Sequence, residues 1–402
     1  MKSIGKLTLV AVAGMMLFAT LIQSCKKSSS PAGPHVTAVT SGATDTVGSS
    51  YTLSITGTNL TGATVSTTAA GVTISGISAT ATSITGTIAI GSSATPGSVT
   101  LTITTSAGNT TTTITVVAIP LIGGYASSDS VASANLVSYF SFENNVNDVK
   151  GGGAGTPVGV TYVAGVRGQA YQGATGAYAT VPASAAIGAL QSFSVSVWYS
   201  YSGTTKPQVP GAGQQNAQGL FFASGATPGS DGNEIILEAD NPSASQFAAD
   251  SVPIHHGFNN VGGVTGSWQN FTMNSFDTAT SAWVHVVMTY DGASSTYTFY
   301  ENGQPIEVSS AYGVQKSTII YDGPLPVGSG NPPTQAMGNL NFTTDPPTTL
   351  YIGTWPPGLY GVSPTLGANG SFLGAMDELR VFNKALSQAE VVGLYLNGQA
   401  GR

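Results

Sequence analysis

The chain has 402 residues, enough for two or three domains with cores of their own, and 7% of them are charged against 41% hydrophobic. That share of apolar residues, in regular alternation, excludes a disordered chain despite 52 glycines and long Ser/Thr tracts. With Lys2 and Lys6 set aside, nine basic residues face 18 acidic ones, a balance of −9 with no basic stripe among the aromatics, which excludes nucleic acid as a partner.

The first 24 residues have the layout of an export signal. Lys2 and Lys6 give a positive start, and Leu7 to Ile22 give an apolar stretch, interrupted by Gly14, that is short for membrane spanning. The chain has one cysteine, Cys25, so neither an intramolecular disulfide nor a thiolate metal cluster can form. Leu21-Ile22-Gln23-Ser24-Cys25 resembles the lipobox of bacterial lipoproteins, with a small residue just before the cysteine. The resemblance implies cleavage before Cys25, lipid on its sulfur and new amino group, and anchoring in the outer membrane of the cell envelope, on its periplasmic or cell-surface face. Each buried CH₂ contributes about 0.8 kcal/mol, so three acyl chains hold the protein at the bilayer. Residues 25–33, with Lys26-Lys27 and a Ser run, read as a flexible tether.

From 34 to 117 Thr alternates with β-branched apolar residues. Tyr51, Leu53 and Ile55 share one strand face and Thr52, Ser54 and Thr56 the other, and Val99, Leu101 and Ile103 repeat the pattern. Turn signals at Gly57, Pro96-Gly97 and Gly108-Asn109 divide the stretch into about seven short strands, a β-sandwich. YTLSITGTNLTGATV and SATPGSVTLTITTSAGNTTTTITVV resemble the IPT/TIG immunoglobulin-like family, which implies an immunoglobulin-like fold in the role of a spacer.

Residues 118–134, with Pro120, a Gly pair and a Ser/Ala run, read as a linker. Beyond it aromatics appear and the loops lengthen. Strands are expected at Leu136–Glu143, Ser192–Ser200, Ala282–Gly292 and Phe372–Asn383, with Asn302-Gly303 as a two-residue hairpin turn. Ser387 and Glu390 form a capping box at the start of a short helix. LVSYFSFENNVNDVKG, GVTYVAGVRGQAYQGATGAYATVP, WVHVVMTYDG and FLGAMDELRVFNKALSQAEVVGLY occur in the order of the LamG-like, concanavalin A-like jelly-roll family, which 135–402 resembles. The whole chain is therefore expected to be all-β, an immunoglobulin-like sandwich followed by a jelly-roll sandwich. Two irregular regions are expected, Asp240–Phe276 and the Pro-rich stretch from Val308 to Leu350.

Catalysis finds little support. In NEIILEAD, Glu234, Glu238 and Asp240 share a strand parity, but Ile236 sits where hydrolases of this general fold carry the second carboxylate, and exposed strand-end positions are expected for the three acids. No catalytic residue is assigned. One structural Ca²⁺ is the expected cofactor, held by Glu143, Asn145 and Asp148 of the FENNVND turn together with Asp377 of the last strand, which the jelly-roll resemblance places beside the first. The competing reading makes the turn Asx-rich and Asp377 an acceptor of backbone hydrogen bonds. His255 and His256 are not a zinc pair without further ligands, and His285 and Trp283 read as packed residues.

Sugar recognition uses aromatic faces with a few polar groups. Trp268, Trp355 and Tyr360, in loop-like surroundings, are the expected stacking rings, with Asn260 and Gln269 as polar partners. The competing reading has these rings pinning loops to the sandwich. The leading expectation is a monomeric, non-catalytic lipoprotein that binds a glycan or polysaccharide. Its alternatives are a structural or adhesion component that binds an envelope protein, and a weak or degenerate glycoside hydrolase.

Overall fold

The computed structural model describes residues 31–42, 45–201, 218–225, 234–239, 254–259, 268–273, 282–306, 308–310, 313–315, 317–319, 336–343, 345–357 and 370–402. They fall into two compact units that divide between Pro120 and Leu121. The architecture is all-β, as the alternation requires. No helix among the described residues is long and apolar enough to cross a membrane.

Eight strands build the first unit: β1 (His35–Thr40), β2 (Asp45–Thr46), β3 (Ser49–Thr58), β4 (Thr64–Ser66), β5 (Val72–Ala79), β6 (Ser83–Ile90), β7 (Gly97–Thr105) and β8 (Gly108–Val117). They form two four-stranded sheets, β1-β3-β6-β5 and β2-β8-β7-β4. Leu53, Ile55, Ile84, Ile88, Leu101, Ile103, Ile114 and Val116 fill the space between them. The threonines of β7 and β8 pair across the opposite face, Thr100 with Thr113 and Thr102 with Thr111. Asp45 is the only charged side chain between Lys27 and Asp129, and it is buried.

In the second unit the chain runs through β9 (Leu136–Phe140), β10 (Thr156–Val158), β11 (Thr161–Ala164), β12 (Gln169–Gln172), β13 (Tyr178–Pro182) and β14 (Phe193–Tyr201). Next come β15 (Gln218–Ser224), β16 (Glu234–Ala239), β17 (Ile254–Asn259), β18 (Trp268–Met273), β19 (Val284–Asp291), β20 (Thr296–Glu301) and β21 (Gln304–Pro305). The last are β22 (Val308–Ser310), β23 (Gly313–Gln315), β24 (Ser317–Ile319), β25 (Thr349–Ile352), β26 (Gly374–Phe382) and the helix α1 (Gln388–Gln399). One sheet has the order β11-β12-β26-β14-β19-β20-β21, with β9 also on β26, and the other β10-β13-β25-β15-β16-β17-β18-β22-β23. Phe140, Val195, Val197, Val286, Met288, Leu379 and Val381 of the first sheet meet Val181, Leu220, Ala223, Ile235, Leu237, Leu350 and Ile352 of the second.

Two expectations need correction. The irregular region 240–276 contains β17 and β18, and the stretch after Val308 begins with three short strands. Period-two alternation marks a strand with one solvated face, and IHHGFN and WQNFTM do not alternate. The turns came out as read: Asn302 and Gly303 have φ of 47° and 82°, the pair of positive values such a hairpin demands.

From Leu121 onward the expected linker, 118–134, belongs to the second unit. Ile122 and Tyr125 pair with each other, and Asn397 of α1 donates to the Ile122 carbonyl. Ser128 donates from both N and Oγ to the carbonyl of Arg402. Val131 is buried with Val287, Phe382, Leu386, Val391 and Leu394 in a second core between α1, this strap and the outer face of the first sheet. Two glycines serve the close approach: a Cβ on Gly393 of α1 would collide with the Tyr125 ring, and one on Gly123 of the strap would lie 3.1 Å from Gly393 Cα.

The same outer face explains the serines of β14. Ser194 Oγ donates to the Lys384 carbonyl and accepts from Leu386 N, fixing the approach to α1. Ser196 Oγ lies 2.9 Å from His285 Nε2. Trp198 stacks on Tyr395 of α1 at 5.6 Å, an approach that Gly398 permits because a Cβ there would lie 2.6 Å from Trp198 Nε1. Trp283, expected in the core, is half-buried ahead of β19. The capping box forms as read, with Ser387 N donating to Glu390 Oε2 at 2.8 Å.

A chain begun at Leu136 loses Val131, Asp129 and both Ser128 bonds. It should unfold with at least about 3 kcal/mol less stability than one begun at Leu121, since burial of one such aliphatic side chain is worth roughly 1.5–3 kcal/mol. Equal urea midpoints for the two chains would return the strap to the role of a linker.

Candidate functional site

Alternation divides the residues of the second sheet. Ile235 and Leu237 of β16, Leu350 and Ile352 of β25, and Ala223 of β15 face the inter-sheet core. Ile236, Phe222 and Tyr351 therefore belong to the opposite, outer face. There Phe222 and Ile236 form a small cluster with Trp355, and Tyr351 packs against it half-buried. Glu238, two positions beyond Ile236, shares this face and is 1% exposed. The position two residues before it is the packed Ile236, so no carboxylate adjoins it on that side. Glu238, expected as an exposed strand-end acid, is instead buried. Asp240 lies outside the described residues.

The sheet continues from β16 into β17 and β18, where backbone register sets His255 opposite Glu238 and Thr272 opposite His255. Trp268 opposes Asn259 and Gln269 opposes Phe258. Trp268 is thus a strand residue and not a loop residue. Asn260, Tyr360 and the lipidation residue Cys25 lie outside the described residues. Trp355 is 4% exposed, and Gly370 lies so close to its ring that a Cβ there would meet it at 2.5 Å. The structure gives this ring a packing role, the competing reading of the sequence.

The four expected calcium ligands do not converge. Asp148, 2% exposed, accepts from Ser138 Oγ at 2.6 Å, Tyr139 N at 2.9 Å, Lys150 N at 3.0 Å and Gly151 N at 2.7 Å, and so ties the turn to β9. Asn145 closes an Asx turn, its Oδ1 accepting from Asn147 N. Glu143 and Asp377 instead hold one hairpin loop, between β11 and β12: Glu143 accepts from Gln169 N at 3.2 Å and Asp377 from Arg167 N at 3.0 Å. Gly165 and Gly168 give these carboxylates room, since a Cβ at either would overlap one of them. Among the described residues no three His, Cys, Asp or Glu side chains are grouped to hold a metal. The Asp377 carboxyl is raised to about 7 by burial, with the Glu378 charge adding to the rise and the backbone donors opposing it.

A feature that sequence reading missed lies beside Asp377. In β26, Arg380 pairs with Ser196 and Asp377 with Trp198, so Glu378 and Leu379 of β26 stand opposite the single Val197 of β14, a β-bulge, and Glu378 has φ of 53°. Met376 and Leu379 both face the core, and the bulge keeps the two consecutive acids between them out of it. Glu378 is paired with Arg380, which is 2% exposed, and accepts from Tyr139 Oη at 2.7 Å. Arg380 also reaches Asp129 of the strap at 2.9 Å and lies 4.3 Å over the Tyr139 ring. Arg167 adds a second bond to Asp129 at 2.8 Å. The D-E-L-R order was visible, but alternation gave no hint of the extra residue.

Residues 173–340 match the family model Laminin_G_3, the concanavalin A-like lectin/glucanases superfamily. The match covers under half of the chain and lies within the all-β second unit. Among solved structures, the botulinum neurotoxin serotype G binding domain aligns at 13% identity and a TM-score of 0.41, covering 65% of this chain and 50% of that one. A Trypanosoma rangeli sialidase in complex with sialic acid aligns at 16% and 0.40, covering 74% and 42%. The CBM40 of a Ruminococcus gnavus IT-sialidase bound to α2,6 sialyllactose aligns at 14% and 0.30, covering 52% and 86%. The chain spans half or less of the length of the first two. No curated protein matches it.

Two predictions follow from the clasped carboxylates and the packed ring. Asp148→Ala should cost about 2–4 kcal/mol by leaving its buried donors unmet, and equally so in calcium and in EDTA. Trp355→Ala should lower the thermal midpoint, with a cost of about 3 kcal/mol for truncating a buried ring.

Proposed function

We propose that the protein is a non-catalytic, glycan-binding lipoprotein of the cell envelope. In this reading acyl chains on Cys25 anchor it in the outer membrane, the first unit is an IPT/TIG-type immunoglobulin-like spacer, and the concanavalin A-like domain recognises the glycan. The family match of residues 173–340 is the observation that carries it. The outer face of the second sheet supports it. There an apolar and aromatic cluster, Phe222, Ile236, Trp355 and Tyr351, adjoins the buried carboxylate of Glu238. Phe222, Ile236, Trp355 and Glu238 are buried, so this layer supplies a packed floor for the face, and stacking belongs to rings beyond it.

Trp268 is the ring we assign to stacking, with Asn260 and Tyr360 as further contacts; Trp355 supports the surface from beneath. Ile236 fills the same-face position two residues before Glu238, so the hydrolase reading needs Asp240, two residues beyond it, as the second carboxylate. Calcium is proposed only at the Glu143–Asp377 loop clasp, where a cation would relieve the buried charge of Asp377.

On a panel of polysaccharides, with and without calcium, the wild type should bind at least one, and Trp268→Ala should weaken it tenfold or more at an unchanged thermal midpoint. Failure to bind any of them would favour an envelope protein as the partner. A calcium-dependent rise in the midpoint that disappears in Asp377→Asn would support the cation, and identical midpoints in calcium and EDTA would remove it.

A further inference from the structure

The cap formed by α1 and the strap covers a histidine whose chemistry the proposed binding role does not use. His285 is 1% exposed and lies between the Trp198 ring, at 4.9 Å, and the Tyr395 ring, at 6.2 Å. Its Nε2 is satisfied by Ser196 Oγ at 2.9 Å, and its backbone N by Asn302 Oδ1. Its Nδ1 meets no hydrogen-bonding partner among the described residues. The one charged group set against it is itself positive, the buried Arg380 of β26. Neither β14, which contributes Ser196 and Trp198, nor α1, which contributes Tyr395, brings a carboxylate to the imidazole. Among the described residues a proton added at Nδ1 meets no acceptor and no carboxylate, and a buried, unpaired charge of that kind is among the costliest things a fold can hold.

We propose that α1 and the strap form an acid-released cap with His285 as its trigger, so that protonation of the imidazole lifts the cap from the outer face of the first sheet while the sandwich stays folded. The cap is suited to partial opening. It rests on its own small core around Val131, Val391 and Leu394, separate from the inter-sheet core. Its attachments are discrete: the Ser194 bonds to Lys384 and Leu386, the Ser128 bonds to Arg402, the Asn397 bond to Ile122 and the Asp129 pairs with the two arginines. Opening uncovers Trp198, Ser194 and Ser196, an aromatic and hydroxyl-bearing face.

The sign follows from linkage. Burial, aided by the Arg380 charge, lowers His285 to about 3 in the closed state, against its ordinary 6.5 once uncovered. Above 6.5 the opening equilibrium is therefore flat, and between 6.5 and 3 it grows about tenfold for each pH unit lost. The cap's own acids add to this only at lower pH. Burial disfavours their charge, yet Arg167 and Arg380 hold Asp129, and Lys384 and Ser387 hold Glu390, below the ordinary carboxylate range.

Hydrogen exchange of the full-length protein, followed by mass spectrometry from pH 7 to 4 and corrected for intrinsic rates, tests the proposal. Peptides from 385–402 and 122–135 should lose protection about tenfold per unit below pH 6.5, while peptides of β15 and β19 keep theirs. His285→Gln, which can still bond Ser196, should flatten the profile. Should that variant not fold, NMR titration of the wild-type imidazoles decides, since the proposal needs one that stays neutral down to at least pH 4.5. Protection of 385–402 that is independent of pH, or that is lost together with β15 and β19, would overturn it.

Discussion

A guanidinium inside a protein has to be neutralised where it stands, and Arg380 imposes that condition on the second unit. Its bonding partners come from elements far apart in sequence: Glu378 on the same strand, and Asp129 on the strap. Tyr139 of β9 lies beneath it and donates to Glu378. The β-bulge belongs to the same arrangement, because a regular strand would turn either Asp377 or Glu378 towards Met376 and Leu379 in the core. Replacing such a network with apolar residues is often tolerated, whereas removing one member leaves an unmatched charge. The strap, β9 and the last strand are thus bound together by charge balance more than by area.

Around that centre the fold is layered. The inter-sheet core holds the sandwich, and a second apolar layer under α1 closes its outer face. The serines of β14 join the two layers by meeting backbone groups that the end of β26 leaves open on its way to α1. Hydroxyls are economical for this purpose, since each both donates and accepts within one small side chain.

Much of this was readable from the sequence, and the failures have physical causes. Leu53-x-Ile55, the Asn302-Gly303 turn and the Ser387/Glu390 capping box are local signals, and each formed as read. Segments whose character depends on distant neighbours were misread. The Gly-Gly and Ser/Ala composition of 118–134 suggested a linker, yet Gly123 of that pair lies against Gly393 of α1. Asp148 looked like a metal ligand because carboxylates in turns serve both purposes, and only the positions of four donors distinguish them. Trp355 looked available because its flanking prolines suggest a loop, but its ring lies on Phe222 and Ile236. The strands β17 and β18 escaped notice because neither alternates.

The strap has one more consequence. It is where the covalent chain enters the second unit, and it lies against α1 and the C-terminal Arg402. A pull transmitted along the backbone from Pro120 therefore meets the clasp of Ile122, Ser128 and Asp129 before it reaches any strand of the sheets. Along the chain Ile122 comes first and Asp129 with its two arginines later, so load entering from Pro120 is shared among these attachments one after another before it arrives at β9.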